Sequence, residues 1–509
     1  MKHASISLDD KFTLGEGRIF VSGPQALVRI AIEQVERDKR CGLNTAGFVS
    51  GYRGSPLGGV DNAFWHAQQH LDAHSIKFIP GINEEAAATA CHGTQEVQLI
   101  AGSDYHGVFA MWYGKGPGVD RAGDALKHGN LASTSRYGGV LVLAGDDQSA
   151  KSSTVAHQSE QALVASMIPV LYPSSVQEYL DYGLLGIAMS RYTGLWVGFK
   201  CVNDTSDATA SIDVSPNRFT IKTPDDFVLP PGGLNARRPD DRFDQERRVL
   251  RYGLKAAQAF VRANGIDRTV YDSPRRALGI VTAGKAYLDT LQALRNMGIE
   301  GERAAALGIR VYKLGMTWPI EPEGLRAFAR GHQEILVVED KRPFIEPQVR
   351  DVLFNLPNDE RPQVHGKFDD RNELLLQPEA ELNPILISQA LVRRINALGI
   401  ADSALASKMT ASNAGGQSAP AAAATDVVRI PYYCSGCPHN TSTKPLEGGI
   451  TLGGIGCHSL ATLMPDRPTH MSMQMGGEGM NWIGMSPFAK KKHVFQNLGD
   501  GTYFHSGLL

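Results

Sequence analysis

Two hydrophobic rhythms run along this chain. Apolar stretches of strand length break repeatedly into glycine-rich turns: IFVS at 19–22, TAGFVSG at 45–51, GVFAMWYG at 107–114, VLVLAGD at 140–146 and LWVGFKCV at 195–202. Stretches with apolar residues at helical spacing follow, the first from Gly23 onward. Strand, glycine turn and helix in repeated order predict a mostly parallel sheet covered on both faces. Ligands bind such sheets at the carboxyl ends of the strands. This pattern marks a first α/β domain over residues 17–235. A polar Pro- and Arg-rich stretch then leads into a helix near 249–263. A second α/β segment, 275–400, carries the strand-like runs ALGIVTA, IRVYKL and ILVVED. Residues 401–425, dominated by Ala, Ser and Gly, have little to bury and are expected to be a flexible linker. A third segment begins at 426.

Composition narrows the class. The 509 residues exceed one ordinary core and suggest several domains. Lys plus Arg is 51 against 53 Asp plus Glu, a net charge of −2, so the clustered basic surplus of a nucleic-acid binder is missing. No apolar run approaches the ~20 residues of a membrane-spanning helix, and the N-terminus lacks the apolar core of a secretion signal. A cytoplasmic location is expected.

Six cysteines are too few for a disulfide framework, but three of them sit close together. Cys434 and Cys437 form a Cys-x2-Cys in YYCSGCPHN, and Cys457 lies in a later glycine-rich turn, GIGCHS. Three thiolates at this spacing suit a soft metal or an iron–sulfur cluster. With His439 or His458 they could instead complete a zinc site. Buried, inert thiols are the plainer reading.

Two further motifs carry chemistry. Gly499-Asp500-Gly501 follows the strand-like VFQNL. An Asp between two glycines at a strand end can point a carboxylate at a divalent cation while backbone N–H groups approach a phosphate, though Asp-Gly is also a common turn. Glu84 and Glu85 open the alanine-rich stretch INEEAAATACHG. There Asn83 can cap a helix and the acids suit its dipole; the sharper reading has one Glu projecting into a cofactor pocket. The loops GYRGSP (Arg53, Ser55), GKGPGVDRAGD (Lys115, Arg121) and GDDQSAKSS (Asp146, Asp147) follow strands and could hold anionic groups or be plain turns. GGEG at 476–479 needs backbone freedom, a sign of close approach to a ligand.

Taken in order, GYRGSPLGG, INEEAAATACHG, a second α/β domain, CSGCPHN, GIGCHS and GDGTYFHSG resemble the 2-oxoacid:ferredoxin oxidoreductases, in their indolepyruvate branch and its long fused bacterial form. The resemblance implies the fold: a pyrimidine-binding-type thiamine diphosphate domain at 17–235, a transketolase-C-terminal-like α/β domain at 275–400, and the start of a diphosphate-binding domain at 426–509. Family members continue further, so the chain is expected to be truncated, with the fourth cluster cysteine and the Asn of the diphosphate motif beyond Leu509. By the same resemblance, Glu84, with Glu85 as the fallback, contacts the aminopyrimidine of thiamine diphosphate. Cys434, Cys437 and Cys457 are three ligands of a 4Fe-4S cluster. Asp500, beside Gly499 and Gly501, holds Mg²⁺, and Arg53 and Ser55 lie near substrate and cofactor. The implied reaction is oxidative decarboxylation of an aryl 2-oxoacid such as indolepyruvate, with coenzyme A taking the acyl group and ferredoxin the electrons. A homo-oligomer, or a complex with the missing portion, is expected, and the chain alone is expected to turn over little. The alternatives are a non-oxidative thiamine-dependent decarboxylase and a zinc-stabilised subunit without catalysis.

Overall fold

A computed structural model describes residues 7–150, 155–400 and 432–508. The expected linker at 401–425 lies outside the described residues. The chain divides into two compact units, Met1–Gly416 and Gln417–Leu509.

The first unit is built on two sheets. The five strand-like runs of the first segment become β1 (Arg18–Ser22), β2 (Thr45–Gly51), β4 (Gly107–Lys115), β5 (Val140–Asp146) and β7 (Val197–Val202), and the structure adds β3 (Ile76–Phe78), β6 (Val170–Leu171) and β8 (Thr209–Asp213). The second segment supplies β9 (Arg268–Tyr271), β10 (Leu278–Ala283), β11 (Ile309–Leu314), β12 (Met316–Trp318), β13 (Glu334–Val338) and β14 (Gln363–His365). The first sheet has seven strands in the order β12-β6-β7-β5-β4-β2-β3. Every pairing in it is parallel except β12 with β6. The second has five strands in the order β14-β13-β10-β11-β9, with β9 antiparallel.

Burial explains why these runs are continuous rather than alternating. β5, β7, β10, β11 and β13 are buried at every residue, as strands covered on both faces must be. Helix Gly23–Arg40 packs on one face of the first sheet. Its start is fixed by a capping box, with Ser22 and Gln25 exchanging hydrogen bonds, and by Pro24 in the first turn. Helix Glu84–Ile100 covers the other face, where Ala87, Ala88 and Cys91 pack against Trp112, Val142 and Trp196.

Two features depart from the simple reading of the pattern. β1 does not enter the parallel sheet but pairs antiparallel with β8 in a ribbon of its own. β12 leaves its own segment and joins the edge of the first sheet, Met316 opposite Leu171. Buried residues of both segments, Tyr172 and Val202 with Val281 and Leu314, share one apolar cluster.

In the second unit β15 (Thr451–Gly453) lies between β16 (Thr469–Ser472) and β17 (Phe495–Gln496), all parallel. No helix of the described residues is long and apolar enough to cross a membrane.

Candidate functional site

In the first unit the functional side chains gather at the carboxyl ends of β2, β4 and β5. Glu84 is the first residue of helix Glu84–Ile100, and the Asn83 side chain caps that helix by accepting from the Ala86 N–H at 2.9 Å. The cap fixes the direction in which Glu84 leaves the helix. The Glu84 backbone carbonyl is tied down by the indole N–H of Trp112 at 2.9 Å. Its side chain is buried, 7% exposed, and runs over Gly118. A Cβ on Gly118 would stand 2.5 Å from Glu84 Cγ and 2.6 Å from Oε1, so any larger residue there must push the carboxylate aside. Glu85 is instead half-buried, 3.6 Å from the Arg121 guanidinium. Of the two acids the sequence offered, Glu84 is the one held in a confined place.

The short helix Gly116–Arg121 separates two groups. Gly118 faces Glu84, while Gly116 lies under the ring of His157. His157 Nε2 meets Asp120 at 2.9 Å, and Nδ1 faces Asp146 at 3.8 Å. Burial works against its charge, but these two carboxylates outweigh burial and hold its pKa up at about 9. Asp146, at the end of β5, is fully buried and accepts from the Ser159 backbone N–H at 2.9 Å and from its hydroxyl. Lys200 of β7 completes the group, 2.5 Å from Glu160 and 3.6 Å from Asp146. Three acids and two bases thus gather near the carboxyl ends of β5 and β7, across the short helix from Glu84.

The GYRGSP loop leaves β2 next to these groups. Arg53 is exposed and Ser55 half-buried. Beneath them Asp61 is buried. Burial pushes its pKa up against the pull of the Tyr113 hydroxyl and the Arg53 guanidinium. Arg53 therefore also offsets the charge of Asp61.

In the second unit, GDG follows a parallel strand as expected, with Gly499 capping the short turn Asp500–Thr502. Asp500 is exposed, and Gly499 and Gly501 are half-buried. This turn packs on the glycine-rich turn before Cys457: the Thr502 hydroxyl donates to the Ile455 carbonyl at 3.1 Å. The GGEG segment closes onto the same place. A Cβ on Gly454 would stand 2.3 Å from Glu478 Cγ, so the close approach expected at GGEG is made by the protein itself. His458 is fully buried between Gly456 and Gly499. Burial, then the neighbouring His439, drives its pKa down to about 4.

Cys434 and Cys457 are exposed and Cys437 is half-buried, so none sits in an inert apolar core. The Cys437 N–H donates to the Cys434 carbonyl at 3.0 Å, closing the Cys-x2-Cys turn. The donor chemistry suits a soft metal or an iron–sulfur cluster. The arrangement is looser than such a site requires. Among the described residues no group of three or more His, Cys, Asp or Glu side chains converges on a point that could hold an ion. In the first unit a buried carboxylate, Glu84, stands over Gly118. In the second unit, taken by itself, Asp500 is exposed at a glycine turn. The first is an acceptor of the kind a cofactor ring nitrogen takes, the second one of the kind a divalent cation takes.

The sequence does not single out His157 or Gly118, and it leaves Asp146 in a loop that could hold an anionic group or be a plain turn. Asp146 carried a signal, because a carboxylate directly after an all-apolar strand must be buried and matched. The match itself, Lys200 and His157, comes from distant segments.

Comparison with known proteins places the chain among similar ones. Residues 268–418 match the family model described as the indolepyruvate oxidoreductase domain. The chain is 26% identical over 524 residues to the indolepyruvate oxidoreductase subunit IorA of Methanothermobacter marburgensis, covering 99% of this chain and 74% of that one. The IorA of Archaeoglobus fulgidus is 24% identical over 517 residues, covering 98% and 73%. Among solved structures, 2-oxoglutarate:ferredoxin oxidoreductase from Magnetococcus marinus superposes with a TM-score of 0.54 at 16% identity, over 75% of this chain and 66% of that one. The fold, α/β with mostly parallel sheets, is that of this 2-oxoacid:ferredoxin oxidoreductase. Within that class the chain resembles the indolepyruvate oxidoreductases along nearly its whole length.

Proposed function

We propose that this chain is the thiamine-diphosphate-binding part of a 2-oxoacid oxidoreductase that oxidatively decarboxylates an aryl 2-oxoacid of the indolepyruvate kind. The observation that carries the reading is Glu84, a buried carboxylate fixed at a capped helix start over Gly118, in a chain similar over 99% of its length to an indolepyruvate oxidoreductase subunit.

Glu84 would hold the aminopyrimidine ring of the cofactor by a hydrogen bond and set its protonation. Asp500 would hold Mg²⁺ against the diphosphate, with the Gly499 and Gly501 backbone allowing close approach. Bound thiamine diphosphate would supply an electron sink for the carbon that loses carbon dioxide. Confinement of Glu84 under the helix Gly116–Arg121 keeps water from the carboxylate and strengthens its interactions there. Arg53 and Ser55 border the same loop edge and would orient the incoming acid. Cys434, Cys437 and Cys457 would supply three thiolates to a 4Fe-4S cluster. Ferredoxin would be the electron acceptor, coenzyme A the acyl acceptor, and the working enzyme an oligomer or a complex with further chain.

The test is anaerobic purification followed by iron analysis and electron paramagnetic resonance, alongside calorimetric titration with thiamine diphosphate and Mg²⁺. Iron together with saturable cofactor binding, the latter abolished in Glu84→Gln, is expected. Stoichiometric zinc without iron or cofactor binding would replace this reading with that of a zinc-stabilised subunit. Cofactor binding without iron would favour a non-oxidative decarboxylase.

A further inference from the structure

Two clefts of the first unit are lined by basic side chains, and their charge balance differs. In the smaller, of about 340 Å³, each arginine is matched: Arg262 with Asp226 and Glu321, Arg268 with Glu178, and Arg310 with Asp272. The larger, of about 630 Å³, lies where the chain leaves β5 and β13, and is lined by Asp120, His157, Gln158, Gln161, Lys341 and Arg342 among others.

Here Asp120 is matched by His157 at 2.9 Å. Lys341 and Arg342 have no carboxylate within ion-pair distance among the described residues. Lys341 donates to the backbone carbonyls of Gln148 at 2.8 Å and Ala380 at 3.3 Å, which leaves one of its three N–H donors. With the Gln161 amide turned to the orientation that satisfies both of its ends, Arg342 gives Nε to the Gln161 oxygen at 3.0 Å, which leaves the fork of its terminal nitrogens. Two adjacent cations with donors to spare therefore face a cavity large enough for a small molecule. Gln158 and Gln161 belong to the opposite wall, and the Gln158 amide reaches the Arg342 carbonyl at 3.3 Å, so the wall and the basic pair are already held together.

We propose that this cleft is a binding site for an oxyanion, a phosphate or a carboxylate carried by a small molecule, with Arg342 as its forked contact and Lys341 as a point charge. Guanidinium forks match the geometry of both groups. His157 contributes charge rather than a donor, since Nε2 is engaged by Asp120 and Nδ1 faces Asp146. That charge keeps Asp120 from repelling an anion. Lys341 adopts a left-handed backbone conformation, φ 62°, which costs a non-glycine residue free energy and is characteristic of residues held in place for function. The cleft shares Asp120 and His157 with the charged group described above, but the anion contacts are Arg342 and Lys341, which the thiamine reading does not use.

The experiment is calorimetric titration of the full chain at low salt with inorganic phosphate and, separately, with phenylpyruvate. At least one should bind saturably with one site per chain. Arg342→Gln should weaken that binding about tenfold, the effect of losing one charge-assisted contact. Arg330→Gln, which removes an exposed arginine paired with Glu360, should leave it unchanged. Binding of phosphate alone identifies a phosphate ester as the ligand, and binding of phenylpyruvate alone identifies a carboxylate. Failure of both anions to bind, or equal binding by Arg342→Gln, overturns the proposal.

Discussion

Lys200→Met tests the buried charge group most directly. Lys200 and Glu160 have side chains 4% and 5% exposed, and Asp146 is fully buried. Removing the ammonium leaves two buried carboxylates, Asp146 and Glu160, without the cation they share. Asp146 keeps its two bonds from Ser159 and the nearby His157. Glu160 loses its closest cation. Breaking a buried pair in this way costs roughly 3–5 kcal/mol, with the lower end expected because Glu160 can protonate. Burial already raises the Glu160 pKa, with the neighbouring Asp146 adding to it and Lys200 opposing it. Without Lys200 the rise is larger. A carboxyl raised in the folded state costs nothing below its unfolded pKa, near 4.5, and the cost grows as pH rises through the folded value. Thermal unfolding of wild type and variant should therefore show a small gap at pH 5 and a gap of roughly 4 °C at pH 8. The added change Glu160→Gln should recover much of it, because a neutral amide needs no cation. An unchanged melting temperature at pH 8, or the same gap at both pH values, would refute the reasoning.

Gly118→Ala should weaken thiamine diphosphate binding about tenfold by displacing the Glu84 carboxylate. Gly123→Ala, where a Cβ meets nothing within 4 Å, should not. His157 should titrate near pH 9 by nuclear magnetic resonance, and Asp120→Asn should bring that value down. Because the folded value is raised, its contribution to stability is complete below pH 6.5 and disappears as pH rises through about 9. His332 is held down to about 4 by burial, so the opposite sign applies. The unfolded chain takes up its proton first, and stability should fall as pH drops from about 6.5 toward 4. His332→Phe should flatten that part of the acid unfolding curve.

Strands were legible where both faces are covered. β5 and β7 read as predominantly apolar runs, without polar alternation, because no residue in them meets water. The helix at Glu84 was legible from Asn83 and the alanines that follow, a purely local signal. What escaped was pairing at a distance. β12 is three residues long and its partner β6 only two, too short for any period to register. Glu84 could be singled out, but not the reason it is Glu84 rather than Glu85, since Gly118 lies 34 residues on. Lys200 was absorbed into the strand-like run LWVGFKCV without a role, because its counter-charges come from elsewhere: Asp146 from the neighbouring β5 and Glu160 from the helix that starts there. In the second unit the glycine turns were each visible. Their convergence depends on long-range packing of the kind made by Glu478 against Gly454, which spacing does not encode.

The three residues Met316–Trp318 have a practical meaning for anyone dividing this gene. They close a border of the first sheet with backbone that follows directly on β11 of the second. A fragment ending near 235 would be born with a bare rim of unsatisfied amides and carbonyls along Val170–Leu171, an invitation to pair with its own copies. The remainder would carry a homeless strand. Separate expression of the halves should give aggregates, and mixing them after synthesis should not undo that.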